Sequence, residues 1–134
     1  MKKEFVPNEQ ALALKELGFD EQCLGYYDTE GLKISSDWYL NPQNKNSLFP
    51  EPHTTNNPKI SAPLYQQAFR WFREKHNIYN IILPSYTDNK EVKDRFFYEV
   101  AIGKKLKQEL EYHNTYEEAE QACLDKLIEI CKNK

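Results

Sequence analysis

The sequence predicts an α+β fold, a C-terminal α-β-β(-β)-α module with an antiparallel sheet, preceded by a short helix, a small hairpin and an irregular arm. Two observations carry the module. Helical periodicity in 63–76 and again in 115–132 brackets two strand-like runs at 78–83 and 95–102. Pro84 and Gly103 close those runs, and a polar, charged connection at 85–94 joins them. A third observation sets off the first half: Pro42, Pro50, Pro52 and Pro58, interleaved with Asn41, Asn44, Asn46, Asn56 and Asn57, break all periodicity in 35–62. The expected organisation is therefore 1–62 as helix, hairpin and arm and 63–134 as the α+β module, the two folding as one cooperative domain.

The first helix is expected at 8–17. Asn8 after Pro7 is placed as N-cap, with Glu9 in the first turn where the helix dipole favours an acid. Ala11, Leu14 and Leu17 recur at helical spacing, and Gly18 stands where a left-handed residue ends a helix, followed by Phe19 to close back on Leu14. Next, Leu24–Tyr27 and Leu32–Ile34 flank Asp28-Thr29-Glu30-Gly31, which reads as a hairpin with a four-residue loop and Gly31 at positive φ. The arm carries Trp38, Tyr39, Leu48 and Phe49, residues that lie down on something rather than stand in water.

The second helix is expected at 63–76, with Ser61 as cap, Pro63 in the first turn and Ile60 as staple. Its Leu64, Ala68, Trp71 and Phe72 share a face. After the two strands, 104–113 admits two readings, a helical turn at 104–111 or a short third strand at 109–113, and the strand is preferred because a helix cap follows at once. Thr115-Tyr116-Glu117-Glu118 then forms a capping box, in which the Thr hydroxyl takes the Glu118 amide and the carboxylate reaches back. The last helix runs to about 132, with Ala119, Cys123, Leu127, Ile130 and Cys131 along one face.

Three stretches, 9–28 (EQALALKELGFDEQCLGYYD), 63–80 (PLYQQAFRWFREKHNIYN) and 115–132 (TYEEAEQACLDKLIEICK), cover 56 of 134 residues. They resemble a family of small proteins of uncharacterised activity encoded by gut Bacteroides-type bacteria and their phages and prophages. The resemblance implies a helix following directly on a β-hairpin, and it supplies no catalytic or binding residue to carry over.

Chemistry is sparse. The net charge is −3, which opposes bulk attraction to phosphate. The apolar runs are too short for a transmembrane helix, and Met1-Lys2-Lys3-Glu4 opens no apolar leader, so the expected location is the cytoplasm, with no membrane partner. The Cys and His inventory is Cys23, Cys123, Cys131, His53, His76 and His113, with no pair at zinc-ligand spacing. Cys123 and Cys131 stand about 12 Å apart along one helix, beyond disulfide reach, and read as core residues. Cys23 has no basic neighbour to activate it as a nucleophile. Glu117, Glu118 and Glu120 are explained by the cap and the dipole. No cofactor is expected, and no catalytic residue.

Charge is unevenly spread. Residues 63–107 hold 9 basic and 5 acidic side chains, whereas 108–134 hold 3 and 7. The chain is rich in rings, with 2 Trp, 9 Tyr and 7 Phe. The surface most suited to interaction is Arg70, Arg73, Lys104, Lys105 and Lys107 with Phe97 and Trp38. The leading expectation is a non-enzymatic accessory or interaction protein of phage or mobile-element origin, monomeric, with a protein partner. A weak nucleic-acid-binding module using a basic aromatic face is the alternative, which requires the five basic residues to share one face with a strand aromatic. Neither strand has a cleanly polar side. Whichever sheet face the helices leave uncovered shows Phe97 with Ile78 and Ile82, or Tyr79 and its neighbours. Cover is expected from the N-terminal half, with Trp38, Leu48 and Phe49, ahead of a second copy of the chain.

Overall fold

The computed structural model describes residues 2–39, 60–91, 93–108 and 111–134, with backbone alone at 35–39 and 106–108. These residues form a mixed α+β fold of three α-helices and two three-stranded antiparallel sheets. The chain divides into two compact units, Met1–Ala68 and Phe69–Lys134. The division falls inside a helix.

In the first unit, α1 spans Asn8–Glu16. Its N-cap is Pro7, not Asn8, and no side chain caps it. Pro7 already has the extended backbone that a cap requires, and its carbonyl accepts from Ala11 N at 2.8 Å, so the helix begins one residue early. The C-terminal stop is as expected. Gly18 has φ 97° and its amide donates to the Lys15 carbonyl, while Phe19 N donates to the Leu14 carbonyl, both at 3.0 Å. Phe19 and Leu14 are buried.

The first sheet has the order β2-β1-β3, with β1 at Cys23–Asp28, β2 at Gly31–Tyr39 and β3 at Ile60–Ala62. The hairpin loop is tighter than expected. Asp28 pairs with Gly31, leaving only Thr29 and Glu30 in the turn; Glu30 N donates to Asp28 Oδ1 at 2.8 Å and Gly31 sits at φ 113°. The arm is also more regular at its ends than the proline and asparagine content suggested. β2 runs through 35–39, before the first of those prolines, and Ile60–Ala62 pairs with β1. Between the pairs Cys23–Tyr39 and Gly25–Ile34, one residue of β1 opposes four of β2. Leu48 and Phe49 lie outside the described residues, as does the side chain of Trp38.

Ahead of α1, Phe5 bridges Leu64 and Val6 N donates to the Pro63 carbonyl at 2.9 Å, so the segment before α1 lies along the strand end after β3. Phe5 is buried above Gly25: a Cβ built at Gly25 would stand 2.9 Å from Phe5 Cε1 and 3.1 Å from the Lys33 carbonyl oxygen. Ser61, expected as a helix cap, is instead a buried β3 residue.

α2 occupies Tyr65–His76, two residues shorter at its start than expected. Pro63 stays extended there, receiving Val6, and Leu64 bridges Phe5.

The second unit holds the remainder of α2, then β4 (Ile78–Pro84), β5 (Phe96–Ile102), β6 (Lys105–Gln108) and α3 (Tyr116–Lys132), with sheet order β4-β5-β6. The third strand comes earlier than the expected 109–113. Gly103 at φ 59° lets the chain reverse over Gly103 and Lys104, so pairing resumes at once with Ile102 opposite Lys105. His113 makes only an isolated bridge, exchanging two 2.8 Å backbone hydrogen bonds with Phe96. α3 packs on β4 and β5. Ile78, Tyr98 and Val100 on the sheet, and Cys123, Leu124, Leu127 and Ile128 on the helix, are buried.

The α3 cap forms as expected. Glu118 N donates to Thr115 Oγ1 at 3.1 Å, and the Glu118 carboxylate reaches back one residue further than the box prescribes, accepting from Asn114 N at 3.1 Å.

Two stability outcomes follow from these contacts. Thr115→Ala should lower stability by about 1 kcal/mol, seen as a lower denaturation midpoint at unchanged slope; an unmoved midpoint would place the helix start elsewhere. Gly25→Ala should cost about 1–3 kcal/mol from overpacking. In a double-mutant cycle, Phe5→Leu should offset part of that cost, and strict additivity would show that Phe5 is not what crowds the site.

Candidate functional site

The cysteines are poor reagents. Burial pushes the Cys23 thiol up to about 12, with the Glu21 carboxylate adding to the effect and Ser61 opposing it. Burial likewise pushes Cys123 up to about 12, against a lowering contact with Asn80. Gln67, buried beside this part of the first unit, donates from Nε2 to the Gln22 carbonyl at 2.6 Å and to Glu21 Oε1 at 3.3 Å, leaving its own carbonyl oxygen unpartnered among the described residues. Nothing in this cluster resembles a nucleophile with its base. Among the described residues no three His, Cys, Asp or Glu side chains gather as a metal site, and no helix is long and apolar enough to cross a membrane.

The sheet of the second unit offers a better surface. Its register assigns the faces: Ile78, Asn80 and Ile82 stand with Tyr98, Val100 and Ile102, whereas Tyr79, Ile81 and Leu83 stand with Phe97, Glu99 and Ala101. The first set includes the buried residues beneath α3. Of the expected pairings, Tyr79 with its neighbours is the one on the second face; Phe97 joins it opposite Leu83, not Ile78. On that face Tyr79 is 44 % and Ile81 48 % exposed, Leu83 and Phe97 are half-buried, and the Phe97 ring meets the exposed Tyr112 edge-on at 6.0 Å. Trp38, Leu48 and Phe49, the residues expected to cover this face, lie outside the described side chains.

One end of the same unit collects positive charge. Asn77, at φ 56°, is the single residue between α2 and β4, and its carbonyl accepts from Gly103 N at 2.9 Å. The contact sets the β5–β6 turn, with exposed Lys104 and Lys105, against the end of α2, with exposed Arg73 and Lys75. The far end of α3 arrives there too, since Lys134 Nζ donates to the His76 carbonyl at 3.4 Å. His76 packs against Trp71 at 4.8 Å and is held below the usual imidazole range, first by burial and then by the charge of Lys134.

Among the residues singled out from sequence, Lys104 and Lys105 lie on the turn that meets the end of α2, the helix that carries Arg73, and Lys105, opposite Ile102, stands on the α3 face and not on the face of Tyr79 and Phe97. Arg70 is exposed on α2 but already engaged. Lys107 stands opposite Val100, and its side chain is not described. Phe97 belongs to the open face rather than the basic end. Sequence reasoning did not select Lys75, Lys132, Lys134, Ile81 or Tyr112. The basic last turns of both helices were a visible signal for the first three; no local pattern marks the other two.

No family model matches the chain, and no curated protein or solved structure matches it significantly.

The thiols give a direct test. Cys23 and Cys123 keep their protons in the fold beyond the pH at which the unfolded chain loses them, near 9. Their contribution to stability is whole below about pH 9 and is lost as pH rises toward 12. Under native conditions at pH 8 a thiol reagent should modify half-buried Cys131 first, and Cys23 and Cys123 only on unfolding. Rapid native labelling of all three would contradict the burial described.

Proposed function

We propose that this chain is a non-enzymatic interaction protein, an accessory factor of the phage or mobile-element kind that the resemblance of 9–28, 63–80 and 115–132 suggests, acting as a monomer in the cytoplasm. One observation carries the reading: Tyr79 and Ile81 stand half in water next to Leu83 and Phe97, on the sheet face opposite α3. Burying a large apolar side chain is worth about 1.5–3 kcal/mol, so this row is a reserve of binding energy that the second unit's described core leaves unused. The raised thiols support a binding role over covalent chemistry, and the free cysteines support a reducing compartment.

Ile81→Glu separates a binding face from a core. It should leave the melting temperature nearly unchanged and abolish binding of a solvatochromic apolar dye, while the parent chain sediments as a monomer and binds the dye. A variant that unfolds would make Ile81 part of the packed interior and remove the surface on which this reading rests. Self-association of the parent that Ile81→Glu reverses would make a second copy the partner and overturn the monomeric assignment.

A further inference from the structure

We infer that the outer edge of β4 takes up an extended segment of a partner protein as an added antiparallel strand, one with apolar side chains at alternate positions and acidic residues at its C-terminal end. The inference deepens the interaction reading above and rests on it.

The backbone shows which side of β4 is open. Two hydrogen bonds bracket its pairing with β5: Gly103 N donates to the Asn77 carbonyl at 2.9 Å, and Ser85 N donates to the Arg95 carbonyl at 2.7 Å. The register between them pairs Ile78 with Ile102 and Pro84 with Phe96. Every second residue therefore turns its amide and carbonyl toward β5, which assigns Tyr79, Ile81 and Leu83 to that ladder. Asn80 and Ile82 point both backbone groups the other way, and the carbonyls of Ile78 and Pro84 do the same. β4 is the outer strand of its sheet, and no described strand pairs with that side.

The other described sheet edges are guarded. β6 has four residues and carries Lys105 and Lys107, and β2 carries Lys33 and Asp37. β3 has three residues, and Phe5 and Val6 pair with the chain just beyond it. Shortness, charge and cover are the devices that keep an edge from pairing. β4 has seven residues and none is charged; only Pro84, at its last position, withholds a donor. Exposed Tyr79 and Ile81 have a neighbouring strand on one side alone. An apolar side chain on an added strand lies beside each of them and covers it.

Charge complementarity selects the occupant. Arg73 and Lys75 lie in the last turn of α2, and Lys134 Nζ reaches the His76 carbonyl, two residues before β4 begins. An antiparallel segment brings its C-terminal end to this start, where acidic residues meet the cations. A second copy of β4 would bring Pro84 and the residues after it instead, and no carboxylate occurs from 78 to 87.

Amide exchange and peptide binding on the full chain test the inference. In the free protein the amides of Asn80 and Ile82 should exchange about tenfold or more faster than those of Tyr79, Ile81 and Leu83. A capped peptide of sequence Thr-Val-Thr-Val-Thr-Val-Glu-Glu should slow the first pair by a similar factor. Its threonine amides face β4 when its valines lie beside Tyr79 and Ile81. N-methylation of the threonines should therefore abolish binding, read by fluorescence anisotropy, whereas N-methylation of the valines should change it less than about threefold. Lysines in place of the glutamates should weaken binding about fivefold or more at low salt, and Lys134→Glu should narrow that gap. Protection of Asn80 and Ile82 in the free chain would show the edge already taken, and protection that rises with protein concentration would give it to a second copy. Either result overturns the inference, as do equal losses from the two methylations and a lysine peptide bound as tightly as the parent. If the peptide fails to bind while Ile81→Glu still abolishes dye binding, the interaction reading stands and only the strand addition falls.

Discussion

The hydrogen bond from Gly103 N to the Asn77 carbonyl fixes the layout of the second unit. Asn77 adopts the left-handed backbone that asparagine tolerates better than most residues, so a helix passes into a strand across one position. Gly103, also at positive φ, returns the chain as β6. With these two turns held together, Ile78 must face Ile102, and six further pairs follow down to Pro84 and Phe96. A slip of one residue would exchange the two faces of one strand. Were it β5, Glu99 would enter the space beneath α3 that Tyr98 and Val100 now fill.

Residues 63–134 carry equal numbers of acidic and basic side chains, and the two ends of α3 sort part of them. α3 begins at the end of the sheet where Phe96 meets His113 and Tyr116, and its first turn bears Glu117 and Glu118. Its last turn carries Lys132, and Lys134 beyond it reaches the His76 carbonyl. The termini of α3 carry the charges that suit its dipole, whereas the first turn of α2 holds no acid.

Features decided within a few residues were legible in the sequence. Gly18 with Phe19, Gly31, Pro84 and the Thr115–Glu118 cap all act through backbone groups one to five positions away, so residue type and spacing suffice. The α+β class and the β4–β5 pairing were legible from periodicity for a similar reason. What escaped depended on distant partners. Ser61 has the chemistry of a cap but is taken by β3, because a strand elsewhere offers pairing. β6 begins four residues before its expected place because Gly103 permits an immediate reversal. The candidate surface was legible in its cations, Arg73, Lys104 and Lys105, but not in its boundary. Whether Ile81 faces α3 or water depends on register, and Lys134 reaches His76 only because α3 has the length to carry it there.

The bridge between Phe5 and Leu64 ties together parts of the chain made at different times. These residues stand about 60 positions apart, and closing a loop of that size carries an entropic cost that a local hairpin such as β1–β2 avoids. During synthesis Phe5 leaves the ribosome well before Leu64 exists to receive it. Phe5 and Val6 therefore lack their Leu64 and Pro63 partners while β1 and β2 are free to pair. The contacts of this segment with Gly25 and Tyr27 need only β1, whereas its pairing with Pro63 and Leu64 needs the chain to have passed β3, so the first unit's core can close fully only once α2 has begun to emerge.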